Sequence, residues 1–486
     1  MPDKKEFWPA LFNAGSIAVI GANNQMGSWG FDAMRTALAS KTTDPQRQIY
    51  AVNPTVSEIQ GVTSYPSILD VPGPVELAVI VVRADLVPEV ARQCAQKKIK
   101  AAVIISAGFA EVDEAGIALQ AEVLAVARQA GYHFVGPNCV GHGDAHTRVA
   151  SAGMINRIGP GGLSLITQSG TLGATILQMA ANRGLGLSKL VSTGNEADLH
   201  FEDYLEYLGQ DASTRVIAGY IEGLREGRRF FELAKKITPV KPVVVIKTGT
   251  TGGSSQAAKS HTGALAGSDA IYSAAFKQSG VIRAEDEDEL CDIVLGLLNS
   301  PLPGGRRVGI LTMGGGFGVV TAEACEKEGL EIAQLSGETM EKLNGILPHR
   351  WSHGNPVDLV GVRSMGEHQL ADKCLEILMA DPHIDVVISL MPPMMLPPEM
   401  AGSLSRQQLE ALYLSVKNQR EFLVNKVAES GKPLILLRFI NLPAVGLPGM
   451  PPLPEFKIPE FSSPRRAARV ISQLEKYARY LKAVKG

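Results

Sequence analysis

Short apolar runs alternate along the chain with longer stretches in which apolar residues recur every three or four positions, the pattern of strands and amphipathic helices in turn. Up to about residue 145, runs at 17–20, 49–52, 77–82, 101–105 and 133–135 read as strands, with helical stretches such as 121–129 between them. This alternation predicts a doubly wound parallel sheet, whose ligands bind at the carboxyl ends of the strands. A second set of strands is predicted at 163–167, 187–192, 216–221 and 243–247. The acidic run from Glu285 to Glu289 reads as the solvated start of a helix, where negative charge suits the dipole. Residues 299–305, rich in proline and glycine, read as a linker.

Beyond about residue 305 the features of the second set return. The run at 163–167 followed by Gln168-Ser169-Gly170-Thr171 is echoed at 308–312 followed by Met313-Gly314-Gly315-Gly316. Lys241-Pro242 before one strand is echoed by Lys432-Pro433 before another. Two related α/β units explain this economically. Residues 392–398 and 443–454 are proline-rich loops, and the last helix is expected to start near Pro464.

Composition narrows the class. With 486 residues, 47 Lys plus Arg and 49 Asp plus Glu, the chain is not a generally basic nucleic-acid binder. No apolar run approaches the roughly 20 residues that span a bilayer. The five cysteines (Cys94, Cys139, Cys291, Cys325 and Cys374) are spread without close pairing, which suits a reducing compartment. The apolar residues near the N-terminus run into a glycine turn and read as a strand, not an export signal, so a cytoplasmic location is expected. Glycine is frequent, at 50 residues, without a three-residue period, which points to turns and phosphate-type loops.

Three glycine-rich segments carry candidate chemistry. The loop Gly21-Ala22-Asn23-Asn24-Gln25-Met26-Gly27-Ser28-Trp29-Gly30 follows a strand and opens a helix, where free backbone N–H groups can hold a phosphate. Its spacing is not G-x-G-x-x-G, and the second strand ends at Asn53-Pro54 instead of an acidic residue. NAD is thereby disfavoured, leaving another nucleotide-like ligand or a plain strand–helix turn. Ser169-Gly170-Thr171 and Gly314-Gly315-Gly316-Phe317-Gly318 each lie between a strand and a helix, as paired anion-ready helix starts would. His261 stands among small residues in Ser260-His261-Thr262-Gly263, where it reads either as a nucleophile able to carry a phosphoryl group or as an exposed loop histidine. The pairs His349/His353 and His142/His146 have four-residue spacing but lie in predicted loops and turns, so no metal site is expected.

These segments, together with Gly136-Pro137-Asn138-Cys139-Val140-Gly141, Tyr220-Ile221-Glu222-Gly223 and Asn355-Pro356-Val357-Asp358-Leu359, occur in the order found in one family. The chain resembles the α subunit of the nucleoside-diphosphate-forming (ADP-forming) acyl-CoA synthetases, related to succinyl-CoA synthetase. The resemblance implies an α/β fold with a Rossmann-like CoA-binding domain (1–147) followed by two flavodoxin-like succinyl-CoA-ligase-type domains (148–302 and 303–486). It implies the reaction acyl-CoA + ADP + phosphate ⇌ acid + CoA + ATP, through an acyl phosphate and a phosphohistidine. By position, His261 matches the phosphorylated histidine and Glu222 the carboxylate that orients it. Gly21, Asn23, Asn24, Gln25, Met26, Gly27, Val56, Ile105, Ser106 and Ala107 match the CoA-binding segments. Ser169, Gly170 and Thr171, with Gly314, Gly315 and Gly316, match the paired helix starts that stabilise phosphate at either end of the histidine's swing.

Three departures qualify the match. The loop at 21–30 holds no Lys or Arg and Val56 replaces a basic CoA contact, so phosphate contacts must lean on backbone N–H groups or on Arg83. Ala174 replaces a substrate-contacting tyrosine of succinyl-CoA synthetase, which permits a different acyl pocket. No ATP-grasp segment is found, so the resemblance implies an ATP-grasp β subunit carrying ATP or ADP with Mg, in a hetero-oligomer that acts on a small carboxylic acid or its acyl-CoA. The region at about 390–430 reads as a variable insertion. Two other readings remain open at this point: an ATP-independent CoA-acyl transferase or hydrolase, and a non-catalytic CoA-binding module.

Overall fold

The computed structural model describes residues 4–249, 268–359, 368–390, 404–438, 450–451 and 456–485. The chain divides into two compact units, Met1–Val294 and Leu295–Gly486. The first holds two sheets and the second holds one.

The first sheet contains β1 (Ser16–Ile20), β2 (Gln48–Val52), β3 (Glu58–Ile59), β4 (Val62–Tyr65), β5 (Leu77–Ile80), β6 (Ala101–Ile104) and β7 (His133–Val135), in the order β3-β4-β2-β1-β5-β6-β7. It is parallel apart from the β3–β4 hairpin. Every residue of β1, β5 and β6 is buried, as expected of strands covered by helices on both faces. Helices α1 (Phe7–Phe12), α2 (Trp29–Ala39), α3 (Val87–Lys97) and α4 (Glu114–Ala130) accompany them. Ser28 caps α2 by accepting from Phe31 N, and Asp113 caps α4 by accepting from Gly116 N. The latter cap starts α4 several residues ahead of the expected stretch at 121–129.

The second sheet contains β8 (His142–Asp144), β9 (Pro160–Thr167), β10 (Leu187–Ser192), β11 (Val216–Ile221), β12 (Val243–Lys247) and β13 (Ile282–Ala284), in the order β13-β12-β11-β9-β10-β8. Leaving aside the antiparallel β8, this is the 2-1-3-4-5 order of flavodoxin-like folds. Its helices are α5 (Gly170–Asn182), α6 (Phe201–Gln210), α7 (Gly227–Ile237), α8 (Asp269–Ser279) and α9 (Glu287–Asn299). Glu287, Asp288 and Glu289 occupy the first turn of α9, and Arg183 pairs with Asp288 and Asp292.

The second unit repeats the order. Its strands are β14 (Arg307–Thr312), β15 (Glu331–Ile332), β16 (Val357–Asp358), β17 (Val386–Leu390), β18 (Leu434–Leu437) and β19 (Glu460–Phe461). They run β15-β14-β17-β18-β19, again 2-1-3-4-5, with β16 pairing along β14. Helices α10 (Gly315–Lys327), α11 (Gly337–Ile346), α12 (His368–Ala380), α13 (Arg406–Ser430) and α14 (Pro464–Lys485) complete it. Both halves of the repeat share one contact: a Cβ on Gly173 would lie 2.5 Å from Thr167 Cγ2, and one on Gly318 3.1 Å from Thr312 Cγ2.

Part of the region at 390–430 forms the 25-residue helix α13, opened by a capping box at Ser405 and Gln408. Two elements differ from expectation. Residues 142–143 lie in β8 instead of a turn, and His142 is buried there. Its Nε2 lies 2.6 Å from Leu11 O and its Nδ1 2.9 Å from Ser151 Oγ, and burial pushes its pKa down to about 4. Helix α1 is the second difference. Its Trp8 and Phe12 rings stack on Tyr207 of α6 at 4.4 and 5.3 Å, so six residues tie the first two sheets into one core.

Beside this aromatic stack, Lys189 of β10 is 4% exposed, with Nζ 3.1 Å from Asp144, 3.0 Å from Asp211 and 2.9 Å from Ser213 Oγ. Burial raises the Asp211 pKa, but hydrogen bonds from Thr214, Ser213 and Lys189 outweigh it and hold the carboxyl below its usual range. The stability Asp211 supplies is therefore present above the unfolded carboxylate pKa and is lost as pH falls through the lowered folded value. Lys189→Ala strands the buried Asp144 beside the part-buried Asp211 and is expected to cost about 3 kcal/mol, read as a lower midpoint in urea. A midpoint equal to wild type would show that water reaches this cluster.

Candidate active site

The candidate site residues within the described part of the chain lie at the carboxyl ends of the parallel strands. In the first sheet, strand order reverses direction between β1 and β5, and the loop 21–30 lies at that switch point. Gly21 has φ +93°, and a Cβ there would lie 2.3 Å from Val81 O. A Cβ on Gly30 would lie 2.1 Å from Gly21 O, so α2 approaches the end of β1 as closely as only glycine permits. Asn23 braces the loop: its Oδ1 accepts from Gln25 N at 2.9 Å and from Ser28 Oγ at 2.7 Å. Asn24 ties it to the β3–β4 hairpin, donating to Glu58 O at 3.1 Å and accepting from Gln60 N at 3.0 Å.

This arrangement brings Gly21, Asn23, Asn24, Gln25, Met26 and Gly27 to the carboxyl edge, with Met26 84% exposed. Val56 lies in the loop after β2 and is also exposed. Ile105, Ser106 and Ala107 follow β6 on the same edge, and Ser106 Oγ donates to Val82 O at 2.6 Å. Arg83 follows β5 but is engaged by Asp85, Nε to Oδ1 at 3.0 Å and Nη2 to Oδ2 at 2.5 Å. A ligand phosphate would have to take Arg83 from that exposed carboxylate.

In the second sheet the order reverses between β9 and β11, and Gln168 and Glu222 directly follow those two strands. The Gln168 amide spans the gap. Its Oε1 accepts from the N–H groups of Glu222 at 2.5 Å and Gly223 at 3.1 Å, and its Nε2 donates to Gly223 O at 2.7 Å. From the other side, Lys247 Nζ donates to Glu222 O at 2.9 Å and to Thr248 O, and stands 4.6 Å from the Tyr272 ring centre. Burial, with Arg283 nearby, lowers the Lys247 pKa. Both backbone polar groups of Glu222 are thus held by side chains from flanking strands, which fixes where its carboxylate begins.

Ser169, Gly170 and Thr171 open α5 beside this cluster. Ser169 caps the helix by accepting from Leu172 N, and the first turn carries no acidic residue. The early N–H groups of a helix have no intrahelical partner and favour an anion. In the second unit, Gly314, Gly315 and Gly316 open α10 in the same way, with Thr312 Oγ1 donating to Gly314 O at 3.0 Å as Thr167 Oγ1 donates to Ser169 O at 2.6 Å. There a carboxylate is already close: Asp358 Oδ2 lies 3.3 Å from where a Gly315 Cβ would stand. His261 lies outside the described residues.

Four further residues enter the site that the sequence motifs did not single out: Gln168, Asn195, Glu196 and Lys247. Asn195 joins the two clusters, since its Nδ2 donates to Glu111 Oε2 at 2.5 Å and Gln120 Oε1 at 3.0 Å and its N–H donates to Pro137 O at 3.0 Å. The polar loop Thr193-Gly194-Asn195-Glu196, directly after a predicted strand, was the available signal. By contrast, a cavity of about 370 Å³ lined by Glu6, Phe7, Lys98, Lys100 and His133 opens at the amino edge of the first sheet, away from this chemistry. Among the described residues no group of three or more His, Cys, Asp or Glu could hold a metal ion.

Known proteins resemble this chain along most of its length. Residues 15–143 match the family model of a CoA binding domain, and 160–297 that of the succinyl-CoA ligase like flavodoxin domain. The chain is 38% identical over 427 residues to the α subunit of an ADP-forming acetate–CoA ligase II from Pyrococcus furiosus, covering 88% of this chain and 89% of that one. It is 41% identical over 385 residues to an ADP-forming acetate–CoA ligase I from Archaeoglobus fulgidus, covering 79% of this chain but only 54% of the relative. Its fold matches that of an acetyl-coenzyme A synthetase 1 from Ca. Korarchaeum cryptofilum, solved with phosphate and ADP, at TM-score 0.82 and 30% identity, covering 100% of this chain and 99% of the other.

The closeness of α2 to β1 is testable. Gly30→Ala places a methyl group against a backbone carbonyl that cannot rotate away, and is expected to cost about 1–3 kcal/mol in urea unfolding. Wild-type stability would mean that α2 can retreat without loss.

Proposed function

Because this chain belongs to the α-subunit family of the ADP-forming acyl-CoA synthetases, we propose that it is the CoA-binding, phosphoryl-carrying part of an acid–thiol ligase. The enzyme interconverts acyl-CoA, ADP and phosphate with the free acid, CoA and ATP. In the first step a phosphate oxygen attacks the thioester carbonyl, the C–S bond breaks, and the CoA thiolate leaves and takes a proton. A ring nitrogen of His261 then attacks the phosphorus of the acyl phosphate and expels the carboxylate. The phosphohistidine finally gives its phosphoryl group to ADP.

CoA lies on the carboxyl edge of the first sheet, against residues 21–27, Val56 and Ile105, Ser106 and Ala107. Backbone N–H groups of the glycine loop take its phosphates, since that loop has no basic side chain. Glu222 accepts from the other ring nitrogen of His261, fixing its tautomer and stabilising the positive charge that develops as the phosphoryl group arrives. The helix starts at Ser169–Gly170–Thr171 and Gly314–Gly315–Gly316 each hold the phosphoryl group at one stage of its transfer. The domains follow residues 1–147, 148–302 and 303–486.

The observation that carries this reading is the Gln168–Glu222 clamp at the β9/β11 switch point, beside the start of α5, whose first turn carries no acidic residue. An acyl transferase or a CoA-binding module requires neither that carboxylate nor His261. A second, nucleotide-binding subunit with an ATP-grasp fold supplies ADP and Mg. Supporting it, one relative is an α subunit matched over 89% of its length, whereas a relative not called a subunit is matched over only 54%. Among the described residues no helix is long and apolar enough to cross a membrane, in keeping with work in the cytoplasm.

Two measurements test the assignment. With the partner present, ATP or acyl-CoA plus phosphate is expected to label the chain with acid-labile phosphate, and His261→Ala to abolish the label. Labelling of that variant at the wild-type level would sink the catalytic role of His261. Asn23→Ala removes the brace of the glycine loop and is expected to weaken CoA binding by up to about tenfold in calorimetry, the scale of one lost hydrogen bond. An unchanged Kd would take this loop out of the CoA site.

A further inference from the structure

We propose that Asn195 is a positioning residue for CoA, setting the segment after β6 through the side chains of Glu111 and Asn138. The inference rests on the reading of Ile105, Ser106 and Ala107 as CoA contacts. Asn195 itself comes from the second sheet, in the loop after β10. Gly194 brings that loop onto the segment after β7, since a Cβ there would lie 2.2 Å from Pro137 O and 2.6 Å from Asn138 O. Asn195 N donates to Pro137 O at 3.0 Å, and Arg225 Nη2 donates to Asn195 O at 3.2 Å. Both main-chain polar groups of Asn195 are thereby held.

The side-chain amide then has one orientation. Its Nδ2 carries two hydrogens, and two acceptors meet it: Glu111 Oε2 at 2.5 Å and Gln120 Oε1, on α4, at 3.0 Å. Its Oδ1 accepts from Asn138 Nδ2 at 3.2 Å. Turning the amide over would set donor against donor at Asn138 and acceptor against acceptor at Glu111. Both of these partners lead to one short segment. Glu111 Oε1 accepts from Gly108 N at 2.6 Å and Phe109 N at 3.2 Å, and its Oε2 also lies 3.2 Å from Phe109 N. Asn138, with φ +57°, donates its own N–H to Ser106 O at 2.9 Å.

One amide from the second sheet thus braces residues 106–109 at both ends, with the exposed Ala107 between them. Burial raises the Glu111 pKa, but hydrogen bonds from Asn195, Gly108 and Phe109 outweigh it, so the group stays a carboxylate and both oxygens accept. Without the amide, Glu111 keeps its local turn with Gly108 and Phe109 but loses its tie to the second sheet, and Asn138 loses its side-chain acceptor. Residues 106–109 can then shift against the loop at 21–30, whose position Asn23 and Asn24 set separately. CoA spans both segments in this reading, so its affinity falls although each segment is intact. The loop that carries Glu222 meets Asn195 through Arg225 and the Asn195 carbonyl, which a side-chain substitution leaves in place.

The test reads the Kd of CoA by calorimetry on the full chain and, with the nucleotide-binding partner added, KM for CoA, KM for ATP and acid-labile labelling from ATP. The variants are Asn195→Ala, Asn195→Asp, Asn195→Asp combined with Glu111→Gln, and Ala107→Trp. Asn195→Ala is expected to raise Kd and KM for CoA about tenfold, with KM for ATP and labelling within about twofold of wild type. A parallel loss of labelling and of affinity for ATP would mark a merely structural residue and overturn the proposal. Asn195→Asp keeps the shape but sets a second carboxylate against Glu111, so CoA binding is expected to weaken at least as far. In the double variant donor and acceptor exchange places: the new amide at 111 donates to the new carboxylate at 195, while its oxygen still accepts from Gly108 N and Phe109 N. Its Kd is expected to return to within about threefold of wild type. A double variant that binds no tighter than Asn195→Asp, or a wild-type Kd for Asn195→Ala, would overturn the proposal. If the alanine variant does not fold, the aspartate variant and its rescue decide alone. Ala107→Trp tests the parent reading by placing bulk at the exposed centre of the segment. An unchanged Kd there would take 105–107 out of the CoA site, whereas weakened binding there with a wild-type Kd for Asn195→Ala would remove only the role of Asn195.

Discussion

In each of the three sheets, the helix that follows β1, β9 or β14 stands so close to that strand that glycine fills the contact. A Cβ would meet Gly21 O at 2.1 Å from Gly30, Thr167 Cγ2 at 2.5 Å from Gly173 and Thr312 Cγ2 at 3.1 Å from Gly318. That approach sets the start of α2, α5 and α10 directly against the carboxyl end of β1, β9 and β14. Since strand order reverses beside each of those strands, unpaired helix N–H groups come to lie at the switch points. That packing distance makes each helix start a place where an anion could be held. Such a place needs no cluster of basic side chains, and the loop at 21–30 contains none.

Within the first unit the segment after β6 and the Glu222 cluster are joined through hydrogen bonds. Glu111 accepts from Gly108 N, Phe109 N and Asn195 Nδ2; burial alone would raise its pKa, yet these bonds hold it below the usual carboxylate range. Asn195 belongs to the loop at 193–197, whose Thr193 N donates to Thr167 O at 2.8 Å, and the residue after Thr167, Gln168, holds the Glu222 main chain. The aromatic stack of α1 on α6 reinforces the same junction from the other edge.

Much of this was legible in the residues. Strands at 17–20, 101–105, 187–192 and 216–221 were visible because buried parallel strands are continuous apolar runs, and the structure places β1, β6, β10 and β11 there. The echo of 163–171 at 308–316 anticipated two sheets with one strand order. Helix α1 was not legible, because six residues give no period and its stability comes from Tyr207, about 200 positions away. The strand β8 was hidden for a similar reason: His142 is a strand residue only because Leu11 O and Ser151 Oγ satisfy its ring. Glu196 and Gln168 look like ordinary polar loop residues until burial removes the water around them.

Sequence alone determined the class of fold, the positions of the glycine turns and the family to which the chain belongs, because those depend on local periodicity and on residue types at fixed spacing. Only the tertiary structure decided which polar groups answer one another. It made Gln168 the link between the ends of β9 and β11, turned Arg83 toward Asp85, and enclosed Glu196 so that burial pushes its pKa up. Such pairings arise between segments that are distant along the chain and adjacent only after folding. Their strength comes from the exclusion of water, which no single segment can accomplish.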